Sequence, residues 1–182
     1  MERRTLQIRN KLQGFPLKIA ERDLLLILSL VVGAACGFAA VLLDYIIQLI
    51  RETATCCIDG SHSYIYLVFP GLGMLIAMLL VKFLVRDDIG HGVTKVLVAV
   101  SKNESRIKPH NMWSSILTSG ITIGLGGSVG AEAPIVYTGA AIGSNVARWM
   151  GLSHRNVTIL LGCGAAGAIA GIFKAPLAGI LF

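Results

Sequence analysis

The sequence predicts an all-α integral membrane protein, on three observations. Only 14% of its 182 residues are charged, against about 25% in soluble domains. Its mean hydropathy is +0.73, with 54% hydrophobic residues. Its 21 glycines suit transmembrane helices, where small residues let backbones approach closely.

Lys and Arg exceed Asp and Glu by 16 to 10. The basic residues flank apolar spans with few aromatics between them, so the expected partner is the lipid bilayer and not nucleic acid. The Cys and His residues form no paired set at metal-ligand spacing, so no metal and no cofactor is expected. Cys36 and Cys163 lie in apolar stretches and read as small hydrophobes. Nothing in the pattern points to an enzyme.

Residues 1–23 are polar and basic, with Arg3, Arg4, Arg9, Lys11, Lys18 and Arg22 ahead of the first span. The positive-inside rule places this segment in the cytoplasm. It is either a solvated tail or a short helix on the membrane surface, using Leu6, Ile8, Leu12, Phe15 and Leu17. The apolar run after it is too long for a signal-peptide core. Residues 24–182 form one transmembrane region.

Leu24 to Ile50 is the first span. It would reach about 40 Å and must tilt to fit a core of about 30 Å. Asp44 falls in its outer third, near the headgroups or against another helix, because an acid at a helix centre costs about 2.5–3.5 kcal/mol. Residues 51–63 read as an external loop. Tyr64 to Val85 is the second span, interrupted by Pro70 and Gly71 and closed by Lys82 and Arg86. Lys95, Lys102, Arg106 and Lys108 make the next polar stretch cytoplasmic.

Asp88 to Ser101 places Gly90 and Gly92 around His91, before an apolar run too short to span. This reads as a glycine turn opening a short helix that enters part-way, a backbone tolerated only in a protein-lined cavity. Asn111 to Gly126 is a helix rich in Ser, Thr and Gly. Ala133 to Met150 and Asn156 to Ile172 are further helices with many small residues, and Ala175-Pro176-Leu177 opens another. Arg148, Arg155 and Lys174 mark membrane boundaries, and His62, His110 and His154 read as loop residues. Short, glycine-interrupted, closely spaced helices from residue 111 onward are the pattern of broken helices around a substrate path.

Within this region Gly124 to Tyr137 is the candidate site. Glycines at 124, 126, 127 and 130 precede Glu132, and Pro134 follows it. Proline fits a first helical turn because its missing N–H would have had no partner there. The first N–H groups of such a helix lack intrahelical acceptors and attract anions. Glu132 either stabilises the helix dipole or acts as a mobile carboxylate competing with a permeating anion. His91 either donates a ring N–H to an anion or faces cytoplasmic water. A GxGxxG stretch, Gly162 to Gly167, follows an apolar run. No acid lies between Ala168 and Phe182 to hold a ribose, so it reads as helix packing and not as a dinucleotide site.

These residues resemble the CLC chloride channels and chloride/proton antiporters. Gly90-His91-Gly92-Val93-Thr94 stands where that family has GSGIP, with His91 at the anion-coordinating serine. Gly130-Ala131-Glu132-Ala133-Pro134 stands where it has GREGP, with Glu132 at the gating glutamate. Gly164 to Gly167 and Ala175 to Phe182 look very like the family's next two helix segments, and the likeness covers roughly residues 20–182. The resemblance implies chloride or a similar anion as the transported ion and Glu132 as the gate. His91, Ala131, Glu132 and Ala133 are the implied anion contacts, and Gly90, Gly92, Gly130 and Pro134 shape the helix starts. It implies the first half of an inverted repeat, acting as a channel or an antiporter. The second anion loop and most of the homodimer interface are expected beyond Phe182. The chain then reads as part of a longer transporter, or as a truncated fragment that transports nothing alone.

Overall fold

The computed structural model describes residues 21–56, 65–85, 92–102 and 105–181. Every regular element among them is a helix: α1 (Glu21–Cys56), α2 (Ile65–Leu80) running into a π-helical turn (Val81–Val85), α3 (Gly92–Lys102), α4 (Asn111–Gly124), α5 (Glu132–Trp149), α6 (His154–Ile172) and α7 (Pro176–Leu181). The readings of Gly90, His91 and His62, of the loop after residue 56, and of the basic residues before position 21 lie outside the described residues.

α5 is the centre of the bundle. Residues 135–145 are buried without interruption, so this helix has no solvent face and packs on α6, α1, α4 and α3. Such burial needs small side chains, and Gly139, Ala140, Ala141 and Gly143 supply them. Gly139 and Gly164 meet backbone to backbone, since a Cβ on either would overlap the other's carbonyl, and Gly143 lies equally close to the Leu160 carbonyl. Gly167 of the GxGxxG stretch lies against Gly33 of α1, while Gly162 has nothing near it. That spacing serves helix contacts on two sides of α6.

The surface is reversed relative to a soluble protein. Leu30, Phe38 and Val41 of α1, Met74 and Met78 of α2, and Phe83 of its π-helical turn are more than half exposed. Polar groups are buried instead, including Ser105, Ser114, Thr138, Ser144 and Asn145. An apolar outside fits hydrocarbon, not water. The segments 22–56 and His154–Ile172 are long and apolar enough to cross a membrane.

Three helix ends share one stop device. At the end of α4, Gly126 N–H donates to Ile123 O (2.9 Å) and Gly127 N–H to Thr122 O (2.8 Å), with Gly126 at φ +88°. This is the Schellman arrangement, which satisfies the last carbonyls and turns the chain. α5 ends the same way through Gly151, and α6 through Lys174, a non-glycine residue at φ +52°.

Several boundaries differ from the sequence reading, including the start of α1 at Glu21 and the end of α4 at Gly124. α1 continues past Ile50 to Cys56, through residues expected in a loop. Thr53 and Thr55 donate back to carbonyls one turn earlier at 2.9 Å, and the exposed Arg51 and Glu52 let the helix project beyond the apolar zone. α6 begins at His154, expected in a loop, because extended Ser153 turns the chain into the helix two residues early. α5 begins at Glu132, so Pro134 is its third residue. Asp44 pairs with Lys174 at 3.8 Å, across to the α6–α7 connection.

Candidate functional site

The segment between α4 and α5 is built by its glycines. After the Gly126 turn, Gly127 packs against Thr122, leaving no room for a side chain. The chain then runs through exposed Ser128, Val129 and Gly130 to the start of α5.

α5 starts without a side-chain cap. Its N-cap is Ala131, which carries no acceptor. Ile135 N–H makes the first intrahelical bond, to Ala131 O at 3.2 Å, and Pro134 has no N–H. The N–H groups of Ala131, Glu132 and Ala133 therefore have no acceptor within the helix and carry its positive end. Glu132 is exposed and folds back over Gly130, its Oε2 filling the space that a side chain at 130 would need.

A second helix start meets the first. Gly92, the first residue of α3, is buried on the main-chain carbonyl of Ala133 and beside the Tyr137 Cβ. Tyr137 in turn accepts a hydrogen bond from Asn111 Nδ2 at 3.0 Å, tying the start of α4 to α5. Three helix starts thus converge on the first two turns of α5. The structure brings Gly92, Gly130, Ala131, Glu132, Ala133 and Pro134 into one region, while Gly90 and His91, immediately before Gly92, are outside the described residues.

The loop before α4 is held by buried polar groups. Ser144 Oγ donates to Ser105 O at 2.6 Å and accepts from Ile107 N–H at 3.3 Å. Asn145 Nδ2 donates to Ile107 O at 3.2 Å, and the Ser105 and Thr158 hydroxyls meet at 2.6 Å. These bonds clamp residues 105–107 across α5 and α6 and so fix where α3 ends and α4 begins. Sequence reasoning passed over Tyr137, Asn111 and Asn145; polar side chains inside small-residue helices were the available signal.

Chemically, the arrangement offers N–H donors at a helix start and a carboxylate close by, folded over Gly130. Among the described residues, no three His, Cys, Asp or Glu side chains gather as metal ligands.

Residues 72–182 match the voltage gated chloride channel family. The chain belongs to that family. The match covers more than half of the sequence and contains both α5 and the Gly92 helix start. Members of this family are integral membrane proteins, and the helical bundle with its apolar exterior is the corresponding all-α architecture.

Curated relatives agree. The chain is 29% identical over 168 residues to the H(+)/Cl(-) exchange transporter ClcA of Vibrio parahaemolyticus, covering 86% of this chain and 35% of that protein. It is 29% identical over 170 residues to the ClcA of Klebsiella pneumoniae, with the same coverage. It is 30% identical over 146 residues to an uncharacterized protein of Methanocaldococcus jannaschii, covering 80% of this chain and 33% of that one. The chain spans about a third of the length of these relatives.

Proposed function

We propose that these residues form one wall of a chloride or similar anion path in a transporter of the voltage gated chloride channel family, with Glu132 as its gate. The supporting observation is a carboxylate folded over the start of an uncapped buried helix, next to a second helix start. The free N–H groups of Ala131, Glu132 and Ala133 are the anion donors, with His91 adding a ring N–H from the neighbouring start. In the resting state the Glu132 carboxylate, folded over Gly130, competes for these donors. Protonation removes its charge, weakens its hold and admits the transported anion, linking flux to pH.

The relatives named as H(+)/Cl(-) exchange transporters support chloride as the ion and flux that is linked to protons. Since the chain spans about a third of them, the activity and a homodimeric assembly are proposed for a protein of the relatives' length. The positive cluster of residues 1–23 and the basic stretch around residues 95–108 support a cytoplasmic N-terminus by the positive-inside rule.

Anion efflux from liposomes holding the full-length protein tests the gate. Glu132→Gln and Glu132→Ala should abolish the pH dependence, and an unchanged pH profile in both removes Glu132 from this role. His91→Ser should shift the chloride/nitrate preference; an unchanged ratio removes His91 from the anion contacts.

A further inference from the structure

The glycines of this fold differ in which atoms stand where a Cβ would be. At Gly92, Gly139, Gly143 and Gly164 an added Cβ would strike main-chain atoms of a neighbouring helix. Such glycines serve folding, because the backbone they touch cannot yield. Gly130 is different. The three nearest atoms to a Cβ there all belong to Glu132: Oε2 in direct overlap, Cδ at 3.2 Å and Oε1 at 3.7 Å. Only a flexible side-chain end competes for the space.

The backbone does not demand glycine at 130 either. The left-handed glycines among the described residues are Gly126 and Gly151, and Gly130 is exposed. A methyl group is therefore compatible with the fold at position 130 but not with the carboxylate where it lies.

We infer that Gly130 is a positioning residue whose missing side chain is the seat of the Glu132 carboxylate over the start of α5. Filling the seat drives the carboxylate into another rotamer while leaving an ionisable glutamate in the protein. This rests on the reading of Glu132 as gate, and the two are separable by experiment.

The test uses the full-length protein as wild type, Gly130→Ala, Glu132→Ala and the double variant, with Gly130→Ser as a second way to fill the seat. A cryo-EM map of Gly130→Ala reads the seat directly. The carboxylate should leave residue 130 with the backbone of residues 127–133 unmoved. A carboxylate still folded over residue 130, or a shifted backbone, overturns the proposal. Anion efflux reads the consequence. Gly130→Ala should raise efflux at neutral pH to within about twofold of Glu132→Ala and flatten the pH profile. Adding Gly130→Ala to Glu132→Ala should change efflux by no more than about twofold, since no carboxylate is left to move. A larger change in the double variant shows that position 130 acts through the backbone and overturns the seat. A displaced carboxylate together with wild-type efflux in Glu132→Ala supports the seat and defeats only the gate.

Discussion

Gly92 rests on the main-chain carbonyl of Ala133, so closely that a Cβ at position 92 would overlap it. This contact sets the distance between the starts of α3 and α5, and neither backbone can move aside without shifting a helix. Gly92→Ala should destabilise the protein by about 1–3 kcal/mol, the usual range for overpacking. Thermal unfolding in detergent measures it. A wild-type midpoint would mean that the two starts are not locked together.

The alanine N-cap of α5 trades stability for open donors. Ala131→Ser would offer an acceptor to the Ala133 N–H and add about 0.5 kcal/mol of helix stability, the low end for a cap, because residue 131 has helical φ −79° and ψ −11° and Pro134 has no N–H. The same hydroxyl would occupy an N–H group that the proposed function gives to an anion. The expected outcome is a higher unfolding temperature with weaker chloride binding by calorimetric titration. Unaltered affinity in a more stable variant would show that these N–H groups do not meet the ion.

Tyr137 joins α5 to α4 through the Asn111 amide at 3.0 Å, both residues being buried. Tyr137→Phe keeps the ring and removes the acceptor. Leaving a buried donor unsatisfied costs about 1–3 kcal/mol in water-soluble cores, while hydrogen bonds inside membranes average about 0.6 kcal/mol. A loss of about 1 kcal/mol is expected in denaturant titration, and Asn111→Ala should not add its full effect on top.

Within the GxGxxG stretch the glycines should behave unequally. Gly164→Leu must separate α5 from α6, because Gly139 leaves no room for any side chain. It should prevent accumulation of folded protein. Gly162→Ala meets nothing within 4 Å and should be neutral, or stabilising by up to about 1 kcal/mol from helix entropy. Folded yield by size-exclusion chromatography separates the two, and equal effects would contradict the packing account.

Lys174 combines a left-handed backbone, φ +52°, with an ion pair to Asp44 at 3.8 Å in which Lys174 is 83% exposed. The backbone strain costs about 1–2 kcal/mol; an exposed pair contributes about 0–1 kcal/mol. Lys174→Gly should therefore raise the unfolding temperature, and Asp44→Asn should leave it nearly unchanged. A marked loss in Asp44→Asn would show the pair to be shielded from solvent.

By itself the sequence determined the fold class, the number and order of the helices among the described residues from 65 onward, and the glycine-rich start of α5. These follow from local chemistry. Apolar length, Gly at C′ positions and Pro in a first turn act over a few residues, so they can be read along the chain. Helix ends were less legible where polar composition reads as a loop: α1 runs on through Arg51 to Cys56, and α6 starts at His154 after the extended backbone of Ser153. Only the tertiary structure decided that Gly92 lies on Ala133, that Asn111 reaches Tyr137, and that the space at Gly130 is filled by Glu132. The first two contacts join residues 41 and 26 positions apart, and their geometry depends on how several helices cross. The third is local in sequence, yet it turns on a side-chain rotamer that no pattern of residue types encodes. A glycine needed for folding and a glycine needed for a carboxylate look the same in a sequence, and they differ only in which atoms stand where a Cβ would be.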